Sequence, residues 1–374
     1  MQALKLGSVI HYFDTVKAWA DEFPITERDL LVTNEWLYTP YIEPLGVKPA
    51  VIFQEKYGMG EPSDEMIDAI VKDAAAFDFD RIIALGGGTI LDICKVLALD
   101  VPERVEDLFM GKVPPKKLKT LVAVPTTCGT GSEVTNVAIT ELKGLGIKKG
   151  IAVQETFADM AVLIPETMKG LPYKVFVTSS VDALIHAIVS FLSPKASDFT
   201  EVFSREATRL IMQGYKAIAE RGEDARFDNM KDFVIAACGA GIAFGNAGCA
   251  AVHALSYSIG GAFHVPHGEA NYQFFTAVMK LYAQKEPDGK IRQLTEMLAD
   301  VLGMGAGDTG AVYEAFDAFL GKLIAKKPLR EYGMTEAQID EFAKSTVDNQ
   351  QRLLANNYVF LTDEEIRGIF AGLY

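Results

Sequence analysis

Short apolar runs that alternate with helix-spaced segments mark the first part of the chain, and long helix-spaced segments mark the rest. Asp29–Thr33, Ala50–Gln54, Arg81–Leu85 and Thr120–Val124 are compact apolar runs and predict strands. Between them Glu35–Leu45, Asp64–Phe77 and Ile90–Leu99 predict helices, the second with Ser63 as its N-cap. Val134–Leu142, Gly150–Val153 and Met160–Ile164 are further strand candidates. Strand–helix alternation of this kind predicts a parallel, helix-covered sheet. After Pro165 the pattern changes to helices over Lys174–Phe191, Phe199–Glu220, Phe233–Ile259, Ala270–Lys285, Ile291–Leu302, Gly310–Ala325, Glu336–Leu354 and Asp363–Leu373, with no strand beyond Ile164. The expected fold class is therefore α/β plus all-α, with an α/β domain over 1–167 and an all-helical domain over 168–374.

Composition narrows the function classes. The 374 residues suffice for two domains with sizeable cores, and 49% apolar with 23% charged residues is ordinary for a folded globular chain. The net charge of −14 argues against nucleic acid or an anionic membrane as the main partner. Cys94, Cys128, Cys238 and Cys249 form no C-x-x-C pair, which suits a reducing compartment with free thiols, and the first residues lack a signal-peptide layout. From Phe233 to Gly268 there is no Asp, Glu, Lys or Arg, which satisfies the length of a membrane span. Its many glycines, Asn246 and three histidines point instead to a buried helix pair.

Two glycine-containing loops sit directly after predicted strands. Gly86-Gly87-Gly88-Thr89 follows one strand and opens a helix, where free N–H groups and the helix dipole attract a phosphate. It is not the G-x-G-x-x-G fingerprint. Pro125–Glu133 follows the next strand, with Thr126, Thr127 and Thr130 as hydroxyls and Gly129 and Gly131 allowing close backbone approach. Two such loops at the carboxyl ends of strands form the crevice where nucleotides bind in open parallel sheets; a pair of polar turns is the alternative.

Histidine is scarce and clustered. Three of the five fall between Val252 and Gly268, and a fourth is His186 in Asp182-Ala-Leu-Ile-His186. Asp182 and His186 are four apart and share a helix face. One turn apart, a carboxylate and an imidazole can grip one ion, and they suit iron(II) or zinc. His253 and His267 are fourteen apart, about 21 Å along an unbroken helix at 1.5 Å per residue. Gly260-Gly261 and Pro266 predict a helix–bend–helix that brings both to one ion. On spacing alone, histidines packed in a core remain the competing explanation.

These motifs together resemble the iron-containing alcohol dehydrogenases. Gly86-Gly-Gly-Thr-x-x-Asp92, Pro125-Thr-Thr-x-Gly-Thr-Gly-Ser-Glu-Val-Thr135, Asp182-Ala-Leu-x-His186 and His253 with Pro266-His267-Gly268 follow that family's order and spacing over nearly the whole chain. The resemblance implies an N-terminal dinucleotide-binding domain, a helical metal-binding domain and an active site in the cleft between them. It implies Asp182, His186, His253 and His267 as metal ligands for Fe2+, with Zn2+ as the alternative. It gives Gly87, Gly88, Thr89 and Asp92 to the pyrophosphate of NAD, Thr126, Thr127 and Thr130 to the cofactor cleft, and Lys149 to the nicotinamide ribose. Details such as Phe53-Gln-Glu-Lys-Tyr-Gly58, His264-Val-Pro-His-Gly-Glu-Ala-Asn-Tyr272 and Lys327-Pro-Leu-Arg-Glu-Tyr-Gly333 are similar to members acting on 4-hydroxybutyrate. The implied reaction is its NAD-linked, reversible oxidation to succinate semialdehyde, in a cytoplasmic, fermentative setting, by a homodimer or larger homo-oligomer.

The chain departs from the family's pattern at three places. Many relatives have Asp, favouring NAD over NADP, where this chain has Asn34; Glu35 is adjacent. Many have a further His where this chain has Tyr257, one turn after His253. A common Asn-Pro-Arg reads Asn357-Tyr358-Val359. Tyr257 and His264 are the candidates for moving the alcohol's proton, and His264 serves equally as a support for a ligand. Arg330, Arg352, Lys326 and Lys327 are candidates for the substrate carboxylate. The rival functions are a dehydrogenase of another primary alcohol or diol, a dehydroquinate-synthase-like lyase, and a non-catalytic metal-binding helical protein.

Overall fold

The computed structural model describes residues 2–374. The chain forms two compact units, one over Leu6–Leu171 and one over Pro172–Tyr374, the second joined by the residues up to Lys5. Those first residues are tied into the helical unit by Ser197 Oγ donating to the Ala3 carbonyl (2.6 Å) and by Lys5 N donating to Asn246 Oδ1 (2.6 Å).

The first unit is built on β1 (Val9–Tyr12), β2 (Asp29–Thr33), β3 (Ala50–Phe53), β4 (Arg81–Gly86), β5 (Thr120–Pro125) and β8 (Met160–Leu163). They form one parallel sheet in the order β1-β8-β5-β4-β2-β3. All five residues of β2 are buried, as expected of a strand covered on both faces. Alternation sorts the side chains into two cores: Leu30, Val32, Ile82 and Ala84 face one, with Ile67, Ile70 and Ile90 from the helices. Leu31, Ile83, Leu85 and Val124 face the other, against Val16, Trp19 and Leu37. Ser63 caps the Asp64–Ala74 helix by accepting from Met66 N at 3.2 Å, a contact worth about 1 kcal/mol. The strand candidates after β5 divide. Met160–Leu163 enters the sheet, whereas β6 (Val137–Leu142) and β7 (Ile147–Ala152) pair only with each other as an antiparallel hairpin.

The second unit is helical, and no strand lies beyond Leu163 among the described residues. Six helices position the sites: α1 (Gly88–Leu97) in the first unit, and α2 (Tyr173–Leu192), α3 (Asp198–Arg221), α4 (Met230–Ala247), α5 (Ala251–Phe263) and α6 (His267–Lys285) in the second. Helix α2 packs against α3, α4 and α6, and α5 against α6. Helix α2 is long and apolar enough to cross a membrane, yet 83% of its apolar window is buried within the fold. The predicted Phe233–Ile259 helix is two helices, α4 and α5, bent by 103°. The corner falls at Gly248, whose φ of +81° is open to glycine and disfavoured for other residues.

Candidate active site

The predicted break at Gly260-Gly261 does not occur; α5 runs through both glycines to Phe263. Two glycines inside a helix cost roughly 2 kcal/mol, which packing tolerates. The turn comes at His264, in the left-handed region at φ +52°, followed by Val265 and Pro266. Pro266 is the N-cap of α6, so His267 opens that helix. A Cβ on Gly268 would lie 2.2 Å from the Thr178 carbonyl of α2. Glycine there lets the start of α6 close onto α2 and carries His267 toward Asp182.

The result is a convergence of Asp182, His186, His253 and His267, with one donor atom from each within 4.8 Å of the others. His186 Nε2 and His253 Nε2 are 3.0 Å apart. Asp182 lies 3.9 Å from the Nε2 atom of each of the three imidazoles. Four donors about 2.1 Å from one ion are separated by about 3.4 Å in a tetrahedron, so the observed set brackets that spacing. Burial, then the neighbouring His186 and His267, holds the His253 pKa well below its ordinary value. It is therefore neutral, the form that binds metal. The donor set thus fits a divalent ion of the iron or zinc type. Side-chain exposure is 3%, 5% and 4% for Asp182, His186 and His253 but 39% for His267, so the cluster opens on the His267 side.

Tyr257 borders that opening, its ring 6.5 Å from that of His267. His264 is exposed at the end of α5 and is not among the four converging side chains. Asn271 was not anticipated. It is fully buried one turn after His267, and its Nδ2 donates to Asp182 Oδ1 at 2.8 Å while its Oδ1 accepts from Ser256 Oγ at 2.6 Å. Because a carboxylate only accepts, the amide's orientation is fixed, and Asn271 in turn orients Asp182. Its i+4 spacing from a ligand was the sequence signal. Asn271→Ala is expected to weaken metal binding about 10- to 100-fold, measured by competition with a chelator.

Of the four basic candidates for a substrate carboxylate, Lys326 is paired with Asp317 at 2.7 Å, and Arg330 donates to the Tyr374 carbonyl at 2.7 Å. Lys327 lies over the Tyr332 ring at 5.7 Å. Arg352 makes no side-chain hydrogen bond or ion pair among the described residues. It lies in the Gln351–Leu354 turn, which packs on α5, and Asn357 just beyond accepts from Ala251 N at 2.8 Å. Burial pushes the Cys249 thiol pKa up; Asp182 adds to that rise and Arg352 opposes it. Both charges therefore act on the turn that leads into His253.

In the first unit the two glycine loops meet. A Cβ on Gly88 would come within 2.9 Å of Thr130 Cγ2, and one on Gly87 would lie 3.5 Å from Thr127 Cγ2. Gly87 is the N-cap of α1 and offers no side-chain cap, leaving first-turn N–H groups for an anion. Thr126 is buried, its N–H bonded to the Gly86 carbonyl at 3.0 Å, and Thr89 Oγ1 donates to the Gly60 carbonyl at 2.9 Å. Both oxygens of Asp92 accept protein donors, Ser132 Oγ at 2.6 Å and Ile139 N at 3.0 Å. Its part is to hold the second loop to α1. Lys95 reinforces this from full burial, donating to Ser132 Oγ and the Val137 carbonyl, both at 2.6 Å. Lys149 stands on the β6–β7 hairpin with its Nζ 3.5 Å from Met110 Sδ, and no hydrogen bond joins it to either loop among the described residues. Asn34 is the N-cap residue of the Glu35–Tyr41 helix and bonds to Glu55 at 2.8 Å. The cradle of small residues and open N–H groups fits a dinucleotide phosphate.

A parallel-sheet unit with a phosphate cradle and a helical unit with one carboxylate and three imidazoles define a metal-dependent dehydrogenase class. The chain belongs to the iron-containing alcohol dehydrogenase family: the model for iron-containing alcohol dehydrogenase matches residues 11–165, and that for the family's C-terminal part matches 176–374. It is 51% identical over 374 residues, all of both chains, to 4-hydroxybutyrate dehydrogenase of Clostridium kluyveri. It is 31% identical to long-chain-alcohol dehydrogenase 1 of Geobacillus thermodenitrificans, covering 84% of this chain and 80% of that one. Among solved structures, the NAD+ complex of sulfoacetaldehyde reductase from Bifidobacterium kashiwanohense shares the fold, with a TM-score of 0.85 at 21% identity over 100% of this chain and 98% of that one.

Proposed function

We propose that the chain interconverts 4-hydroxybutyrate and succinate semialdehyde with NAD(H), using Asp182, His186, His253 and His267 to hold iron(II). Its 51% full-length identity to a 4-hydroxybutyrate dehydrogenase carries the substrate assignment. The hydroxyl-bearing carbon gives up a hydride to the nicotinamide and its oxygen gives up a proton, yielding the aldehyde, NADH and H+. A divalent ion at the four donors supplies Lewis acidity toward the alcohol oxygen, and zinc suits the same donors. Asn271 fixes Asp182, and burial keeps His253 neutral. Tyr257, its ring 6.5 Å from that of His267, is the candidate to receive the proton, with His264 the alternative. Arg352, in the turn that packs on α5, is the candidate cation for the carboxylate. Gly87, Gly88 and the Thr126–Thr130 loop cradle the pyrophosphate, and Thr89, Asp92 and Asn34 shape that cradle.

A homodimer or larger homo-oligomer belongs to the same reading. The sheet ends at β1, whose Val9, Ile10 and Tyr12 are 60%, 38% and 37% exposed, an edge that calls for a cover. A cytoplasmic setting agrees with four cysteines that form no disulfide. The net charge of −14 speaks against nucleic acid or an anionic membrane as partner.

Chelator-stripped protein resupplied anaerobically with iron(II) is expected to form NADH from 4-hydroxybutyrate at least about 10-fold more efficiently than from 1-butanol, a preference that a hydrogen-bonded carboxylate can supply. Activity on butanol alone would discard the substrate. NADH from neither, with metal and NAD bound, would favour another alcohol or the lyase.

A further inference from the structure

In open parallel sheets that bind a dinucleotide, an acid at the end of the strand beside the phosphate loop reads the adenosine ribose and repels a 2′-phosphate. Here the phosphate loop follows β4 and the neighbouring strand is β2, which is followed directly by the neutral Asn34. The next strand supplies a carboxylate. β3 pairs in parallel with β2, Thr33 opposite Phe53, and Glu55 follows two residues later. Its side chain returns to the end of β2: Oε2 accepts from Asn34 Nδ2 at 2.8 Å and Oε1 accepts from Glu35 N at 2.8 Å. Asn34 makes no side-chain cap of its own to the Glu35–Tyr41 helix, and Glu55 takes that place.

We propose that Glu55, held over the end of β2 by the Asn34 amide, is the residue that selects NAD(H) over NADP(H). A carboxylate has about four acceptor positions, and the two protein donors leave room for a ribose diol. A 2′-phosphate brought to the same place would meet a fixed negative charge. Asn34 is then part of the device: Asp at that position would face Glu55 as a second anion, whereas an amide donates to it. This inference rests on the dinucleotide reading of the first unit. Glu35, whose backbone N–H holds Glu55, is the competing acid.

The test uses metal-loaded protein and fluorescence titration with NADH and NADPH, alongside kcat/KM for NAD and NADP. Wild type is expected to prefer NADH by at least about 100-fold. Glu55→Gln is expected to lose roughly 10-fold in NADH affinity and to gain in NADPH affinity, while Glu35→Gln keeps the wild-type preference. Thermal melting checks that each variant is folded. Independently of any variant, wild type is expected to bind NADH lacking the adenosine 2′-hydroxyl roughly 10-fold more weakly than NADH. Equal changes for both cofactors in Glu55→Gln, a shift in Glu35→Gln instead, or indifference to the 2′-hydroxyl would overturn the assignment and leave the dehydrogenase reading standing. Wild type that binds neither dinucleotide would remove that reading, and this inference with it.

Discussion

His253→Ala is expected to lower alcohol oxidation by roughly three orders of magnitude or more, because Lewis-acid stabilisation is worth several kcal/mol and each 1.36 kcal/mol is a factor of ten in rate. The substitution removes the donor nearest His186, 3.0 Å away, and leaves three of the four. Metal content after gel filtration and NADH formation should fall together. The fold should persist, since the imidazole is already neutral in its buried place and its removal strands no opposite charge. Full activity with a full complement of metal would show that the four-donor cluster is not the catalytic centre. Loss of activity with metal retained would place His253 in the reaction by another route.

The second large effect is on stability. Lys95 is completely buried, and its ammonium donates to Ser132, Thr135 and the Val137 carbonyl, 3.5 Å from Asp92. Burial draws its pKa down, while the Asp92 and Glu133 carboxylates draw it back up. Burial likewise raises the Glu133 carboxyl to about 7. Removing one member of a buried charge group leaves the others without compensation, at a cost of about 3–5 kcal/mol. Lys95→Met, which keeps the aliphatic stem, is expected to lower the stability of the first unit by that amount, read from its urea midpoint. The dinucleotide titration should weaken with it, because the ammonium joins α1 to the loop carrying Thr130. A midpoint within experimental error of wild type would mean that the hydroxyls and Asp92 hold the loop unaided.

Much of this was legible in the residues, for identifiable reasons. β2, β4 and β5 are covered on both faces, so each reads as a short unbroken apolar run. α2 carries Asp182 and His186 at the spacing of one turn. β1 was not legible: it is a four-residue edge strand with mostly exposed side chains, and nothing in its pattern demands burial. The position of the helix break was misread. Gly261 has open surroundings, Gly260 faces the Val265 carbonyl at 3.7 Å, and both conform to the helix, while Gly248, which holds the corner, looked like one small residue among many. The partners of Asn271 and Glu55 were invisible for a different reason. Each acts through a partner remote in sequence, Asp182 at 89 positions and Asn34 at 21, and no local period records such a pairing.

The residues up to Lys5 complete the helical unit, and this sets an order on the making of the protein. Lys5 finds its partner Asn246 only after 241 further positions have been added. At about 5–20 residues per second on the ribosome, that segment waits on the order of ten to fifty seconds while the whole sheet unit is made and folds ahead of it. The helical unit therefore closes around a piece made long before its partners.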